Sequence, residues 1–187
     1  LLCLIFGFPV AYYITLQPEN RRNFYIYLVT IPFWTNLLIR TFAWIIILGR
    51  GGVIEAPLLA TGIIDDSLRM MYTDGAIAIG LTYSYLPLMV LPIYASLEKL
   101  DFRLLDAASD LYANRLEIMT KVVIPLCKPG IIAGCILVFI PCVGAFIAPN
   151  LLGGGKKLML GSLVQFQFAS ARNWPFGGAL SMLLLSV

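Results

Sequence analysis

The side chains able to do chemistry in this 187-residue chain are few, and their types suit cation contact and docking better than bond-breaking. Histidine is absent, which removes most metal and imidazole-based schemes. Cys3, Cys127, Cys135 and Cys142 lie in or beside apolar runs without ligand spacing and are expected to be buried, reduced thiols. No catalytic residue and no metal site is expected. Arg40 is the charge that lies well inside an apolar run, so it needs a partner, either a structural one or an acid or gate contributed by another chain. Trp34, Trp44, Tyr83 and Tyr85 stand in proline-containing apolar runs, where a ring face can meet a cation or anchor the helix at the membrane interface. With Arg40 they form the candidate set within the apolar runs.

A second concentration of chemistry lies in residues 98–128. These 31 residues hold 10 of the 23 charged side chains (13 basic plus 10 acidic) and sit between two long uncharged runs. Asp101 is placed to cap a helix starting at Phe102. At helical spacing Leu104, Leu105, Ala108, Leu111 and Tyr112 share one face, with Arg103, Asp106 and Asp110 on the other. A second helix is expected from Arg115 to Val123, ahead of Pro125. An amphipathic helix lying on lipid would favour a basic polar face, and Asp106 and Asp110 oppose that, so a docking surface for another protein is the reading these residues favour.

The elements that must position these residues follow from composition. Sixty per cent hydrophobic residues, 12% charged residues and a mean hydropathy of +0.89 place the chain outside ordinary soluble domains. The expected fold is all-α, a polytopic transmembrane helical bundle making one domain over residues 1–187. Five spans are expected: Leu1 to Leu16, Phe24 to Gly49, Gly75 to Leu97, Pro129 to about Asn150, and one beginning near Trp174. The run from Leu158 to Ala171 is too short to cross and is expected to be interfacial or re-entrant. Both ends fall inside apolar runs, which reads as a fragment of a longer chain. Alternation puts Arg21, Arg22, Lys99, Arg103, Arg115, Lys121 and Lys128 on one side of the membrane, against Arg50, Arg69, Lys156, Lys157 and Arg172 on the other, so the charged segment is expected in the cytoplasm. The net charge of +3 is spread along the loops and gives no sign of a nucleic-acid partner.

Asp106-Ala107-Ala108, three residues, Tyr112, nine residues, then Val122-x-Ile124-Pro125 resembles the EAA signature of bacterial ABC-importer permeases, E-A-A, three, Gly, nine, I-x-L-P. Pro32-Phe33-Trp34-Thr35-Asn36 with Leu38-Ile39-Arg40, Pro129 to Gly134, and Asn173-Trp174-Pro175-Phe176-Gly177 are similar to the spermidine/putrescine permeases within that family. The resemblance implies a permease of the type I ABC-importer kind in the bacterial inner membrane. Its coupling residues would be Asp106, Ala107, Ala108, Leu111, Tyr112 and Pro125, seated in a groove of a cytoplasmic ATPase, and its solute path would pass Trp34, Arg40, Trp44, Tyr83 and Tyr85. It implies a second permease subunit and a periplasmic substrate-binding protein as partners, and no cofactor in this chain, ATP being used by the ATPase.

No G-x-x-x-x-G-K-[ST] phosphate loop occurs; Gly153-Gly154-Gly155-Lys156-Lys157 lacks its spacing and its hydroxyl residue. Two positions depart from the signature: Asp106 replaces Glu, and Tyr112 replaces Gly. If the turn there needs a positive φ, either Tyr112 adopts it under strain or Asn114 takes it two residues later. Ala145 stands where many related permeases have an acid after the glycine matched by Gly144. Asp65, Asp66 and Asp74 on the outer side could attract a cationic solute. The same fold carrying another small solute is the alternative, and an intramembrane enzyme a remote one, since the spans lack paired acids or a nucleophile-base set.

Overall fold

The computed structural model describes residues 1–61, 70–101, 103–155 and 159–186, and every regular element among them is helical. In chain order these are α1 (Leu2–Thr15), α2 (Glu19–Trp34), α3 (Leu37–Leu48), α4 (Glu55–Ala60), α5 (Asp74–Glu98), α6 (Arg103–Asp110), α7 (Arg115–Ile118), a π-helical turn (Met119–Val123), α8 (Ile124–Leu126), α9 (Lys128–Val143), α10 (Ile147–Leu152), α11 (Leu160–Ala169) and α12 (Trp174–Leu185). They form two compact units, residues 1–34 with 85–139 and residues 35–84 with 140–187.

In the first unit α1, α5 and α9 meet around Met89. Gly7 of α1 lies against the Met89 and Val90 side chains, and Gly134 of α9 lies against Met89 from its own helix. Gly130, four residues earlier, faces Pro92 and Ser96 of α5. Gly130 and Gly134 thus form a Gly-x-x-x-Gly stripe that lets two helix backbones approach closely, the usual way apolar helices associate where lipid removes the hydrophobic drive. Met89, Val90, Ile93 and Leu97 of α5 are buried with Ala11 and Ile14 of α1 and with Val123 and Cys127. The outer faces remain apolar: Ile132, Ile136, Phe139 and Ile140 of α9 are exposed, as expected of helices whose solvent is hydrocarbon.

The second unit packs α3, α10 and the start of α5 around Leu48, Ala76, Ile77, Ala148 and Leu152. Gly80 and Gly153 leave room for the side chains of Leu152 and Ile77, respectively. In the α11–α12 hairpin Asn173 caps α12 by accepting from the Phe176 N–H at 3.3 Å. The rings of Phe168 and Trp174 meet edge to face at 6.0 Å, and Gly177 abuts Phe168. The Asn-Trp-Pro-Phe-Gly stretch is therefore a helix start plus its packing surface.

Two expected spans differ in detail. The second is divided, because Asn36 leaves the helical path and its side chain accepts from the Leu38 N–H at 2.8 Å, starting α3 afresh. The fourth stops at Val143, and the backbone of Gly144 then contacts Gly161, so α10 is a separate six-residue helix. α11, at ten residues, is about 15 Å long and falls short of the hydrocarbon core, in keeping with the expected interfacial run. By length and composition α5 is long and apolar enough to cross a membrane. The number rises to three if α2 with α3, and Arg115–Leu126 with α9, each count as one bent span. α1 and α12 are shorter apolar helices. Cys135 is exposed, against expectation, because it faces outward on α9.

Candidate functional site

The charged segment is anchored in the first unit at both ends. At its start the Tyr94 hydroxyl donates to Glu98 Oε1 at 2.9 Å, and Arg22 Nη1 approaches the same oxygen at 3.4 Å. Arg22 Nη2 donates to the Thr15 carbonyl at 3.2 Å, so one guanidinium ties the α1–α2 joint to the last turn of α5. At its end Val123 and Cys127 are fully buried in the core. The helices between these anchors are held at their roots and are free to present their outer surface.

Asp101 Oδ1 accepts from the Arg103 N–H at 3.0 Å, as its capping role requires, while Phe102 lies outside the described residues. α6 does not present the single apolar face expected of it. Leu105 and Ala108 are half-buried, and Leu105 packs on the core, while Leu104, Asp106, Ala107, Leu111 and Tyr112 are exposed. Packing has split the apolar set, and the outward surface mixes a carboxylate, small residues and a bulky ridge.

The turn after α6 is made by Tyr112 itself, at φ +59°, with its ring 97% exposed. The Asn114 alternative is excluded: its φ of −77° and ψ of 166° are extended, because it serves as the N-cap of α7. Its Oδ1 accepts from the Glu117 N–H at 2.9 Å, and Glu117 Oε2 accepts from the Asn114 N–H at 3.0 Å, a capping box. The bond from the Asn114 N–H, and after it Lys121 at 3.0 Å from Glu117 Oε1, hold the Glu117 carboxyl below the usual carboxylate range. A sidechain with φ > 0 costs about 1 kcal/mol, and the cap immediately following offsets a cost of that size.

The expected single helix from Arg115 to Val123 is instead α7 followed by the π-helical turn. Pro125 lacks an N–H and its ring crowds the carbonyl four residues back, so the ladder widens by one residue ahead of it. The axis then bends by 67° between Arg115–Leu126 and α9. Pro125 itself is exposed.

The expected solute-path residues divide between the two units. In the second unit Trp44 of α3 and Tyr83 of α5 pack edge to face with centroids 5.5 Å apart. One turn before Trp44, Arg40 Nη1 donates to the Ser84 carbonyl at 3.4 Å, and Arg40 Nε is buried without a hydrogen-bond partner among the described residues. Pro87 lies inside the same helix and lacks the N–H that would bond the Tyr83 carbonyl, one residue before the carbonyl that Arg40 meets. Trp34 and Tyr85 belong to the first unit, Trp34 82% exposed and Tyr85 packed on the core. Asp65, Asp66, Arg69, Lys156 and Lys157 lie outside the described residues, and Asp74 opens α5.

Sequence reading passed over two features. The Asn-x-x-Glu at 114–117 carries a legible capping-box signal. Glu55, buried to 3% exposure in the turn after α3, carries none, because nothing in the neighbouring residues announces that tertiary packing covers it.

An all-helical chain with glycine-packed apolar helices and a polar two-helix segment rooted among them is built like the membrane subunit of a transporter. The chain belongs to the family described as binding-protein-dependent transport system inner membrane component, which matches residues 4–187. It is 45% identical over 187 residues to the spermidine/putrescine transport system permease protein PotB of Escherichia coli strain K12, covering 100% of this chain and 68% of that protein. Identity to the protein of that name from Salmonella typhimurium strain SL1344 is 44% over 187 residues, or 100% of this chain and 65% of the relative. To the inner membrane ABC transporter permease protein YdcU of Escherichia coli it is 30% over 191 residues, covering 95% and 60%. The chain spans about two thirds of the length of these relatives, and the likeness first seen in separate segments extends along all of it.

Proposed function

We propose that this chain is the membrane-spanning permease subunit of an ATP-driven ABC importer and that its cargo is a polyamine of the spermidine/putrescine class. The observation that carries the coupling role is the exposed ridge of Leu111, Tyr112 and Leu116 on a segment rooted in the core through Val123 and Cys127. Large apolar side chains held outward on a charged segment are suited to a groove in another protein. The cargo reading is supported by relatives at 43–45% identity whose names state spermidine/putrescine transport.

In this reading the chain carries out no bond chemistry and holds no cofactor. ATP is bound and hydrolysed by cytoplasmic ATPase subunits, whose closure displaces α6 and α7. Displacement passes through the Glu98–Arg22–Tyr94 cluster into α5 and through Val123 and Cys127 into α9. A second permease subunit completes the path, a periplasmic binding protein delivers the solute, and the lipid bilayer covers the outward apolar faces. Trp44, Tyr83 and Arg40 line the part of the path that this chain contributes, the rings facing the cation and Arg40 holding α3 to α5.

The test is ATP-dependent uptake of labelled spermidine and putrescine by proteoliposomes holding the full-length chain with its partner permease, ATPase and binding protein, with and without Asp106→Lys. Uptake by the wild type, and loss of both uptake and ATPase co-purification in the variant, is the expected result. A complex that takes up neither amine yet hydrolyses ATP in response to another solute retains the importer and removes the polyamine.

A further inference from the structure

The turn that follows α3 gathers negative charge that no ion pair among the described residues balances. Glu55 is 3% exposed, and one of its carboxylate oxygens, Oε2, accepts from the Gly51 N–H at 2.6 Å. The other, Oε1, is buried with no hydrogen-bond partner among the described residues. Gly52, the residue after Gly51, is ringed by backbone oxygens: a Cβ there would stand 2.5 Å from the Ile46 carbonyl oxygen and 2.7 Å from those of Ile47 and Gly49. Those carbonyls are the C-terminal end of α3, the negative pole of the helix. Only Gly49 among the three receives a bond from within the turn, from the Gly52 N–H at 2.9 Å. Arg50, the cation on this turn, is exposed to solvent.

A buried carboxylate with an idle oxygen beside a helix C-terminus is destabilised unless a positive group reaches it. We propose that Glu55, with the terminal carbonyls of α3, is a binding site for one alkylammonium group of the transported solute. The proposal rests on the polyamine reading above and names the acid that this reading otherwise lacks in the chain. An ammonium brings three N–H donors on a compact charge, matching one carboxylate oxygen plus carbonyls, whereas a metal dication would need more carboxylate ligands than this turn offers. Gly49, Gly51 and Gly52 leave the turn without bulky side chains, and Gly51 already sits at φ +68°, so the turn moves aside for a ligand at little steric cost. The charge bias of the loops puts this end of α3 on the outer side, where a cationic solute enters.

The experiment compares wild type with Glu55→Gln in the complete reconstituted importer, measuring uptake of labelled spermidine and of N1-acetylspermidine, which lacks one of the ammonium groups. Gln keeps an acceptor for the Gly51 N–H and removes only the charge. Spermidine uptake is expected to fall at least about tenfold at subsaturating solute while uptake of the acetylated amine changes little, so the preference between them collapses. An unchanged preference overturns the proposal, whether both rates hold or both fall together as a purely structural turn requires. Loss of the partner permease from the purified variant complex also overturns it, showing that the cation is a side chain of that subunit. A wild-type complex that transports neither amine removes the polyamine reading itself, a result seen without the variant and so distinct from failure at Glu55.

Discussion

Asn114 and Glu117 cap each other, side chain to backbone in both directions, at 2.9 and 3.0 Å. This pair fixes where the chain re-enters helix directly after Tyr112, whose backbone lies in the left-handed region. The outward aim of the proposed coupling surface therefore depends on a local polar contact.

The cap is pH-dependent in a direction set by Glu117. Its carboxyl is held below its ordinary value, so the stabilisation is present above the normal carboxylate range and is lost as pH falls through the lowered value. Amide hydrogen exchange across 114–118 in the purified complex should accelerate on acidification, and Glu117→Gln should abolish that pH response. Asn114→Ala should cost about 1 kcal/mol of local stability at neutral pH, read by the same exchange.

At Tyr112, ring and backbone are separable. Tyr112→Gly relieves the left-handed strain, about 1 kcal/mol, while Tyr112→Ala removes the same ring and keeps the strain. Both variants should weaken ATPase binding, measured by surface-immobilised association, and the Gly variant should be the more thermally stable of the two.

The approach of α9 to α5 predicts a steep size limit at Gly130. A methyl there would meet the Pro92 carbonyl oxygen at 2.5 Å and the Ser96 side chain. Gly130→Ala should destabilise the detergent-solubilised protein by about 1–3 kcal/mol, seen as a lowered Tm, whereas Ala substitution at the exposed Ile132 should leave Tm nearly unchanged.

The Trp44–Tyr83 contact should show coupling. Trp44→Ala, Tyr83→Ala and the double variant, compared by thermal denaturation, are expected to give an interaction of about 0.5–1.5 kcal/mol.

What the sequence determined by itself was what neighbours along the chain control. The apolar runs located the helices, Asp101 marked the start of the charged segment, and Pro125 marked a disturbance, because hydropathy, capping and proline geometry act within a few residues. The resemblance in the Asp106 to Pro125 stretch was legible for the same reason, being a pattern of type and spacing. Tertiary structure decided the rest. Leu105 and Ala108 turned inward because the core behind α6 receives them, leaving Leu111 and Tyr112 to face out. Tyr112, and not Asn114, took the left-handed turn once Asn114 was committed to capping α7. Arg40 found the Ser84 carbonyl 44 residues away, and Trp44 found Tyr83. Glu55 lost its solvent to packing that its own segment does not encode. Burial and pairing at long range depend on which distant surfaces meet, and a periodic pattern fixes the face a residue occupies but not what comes to cover it.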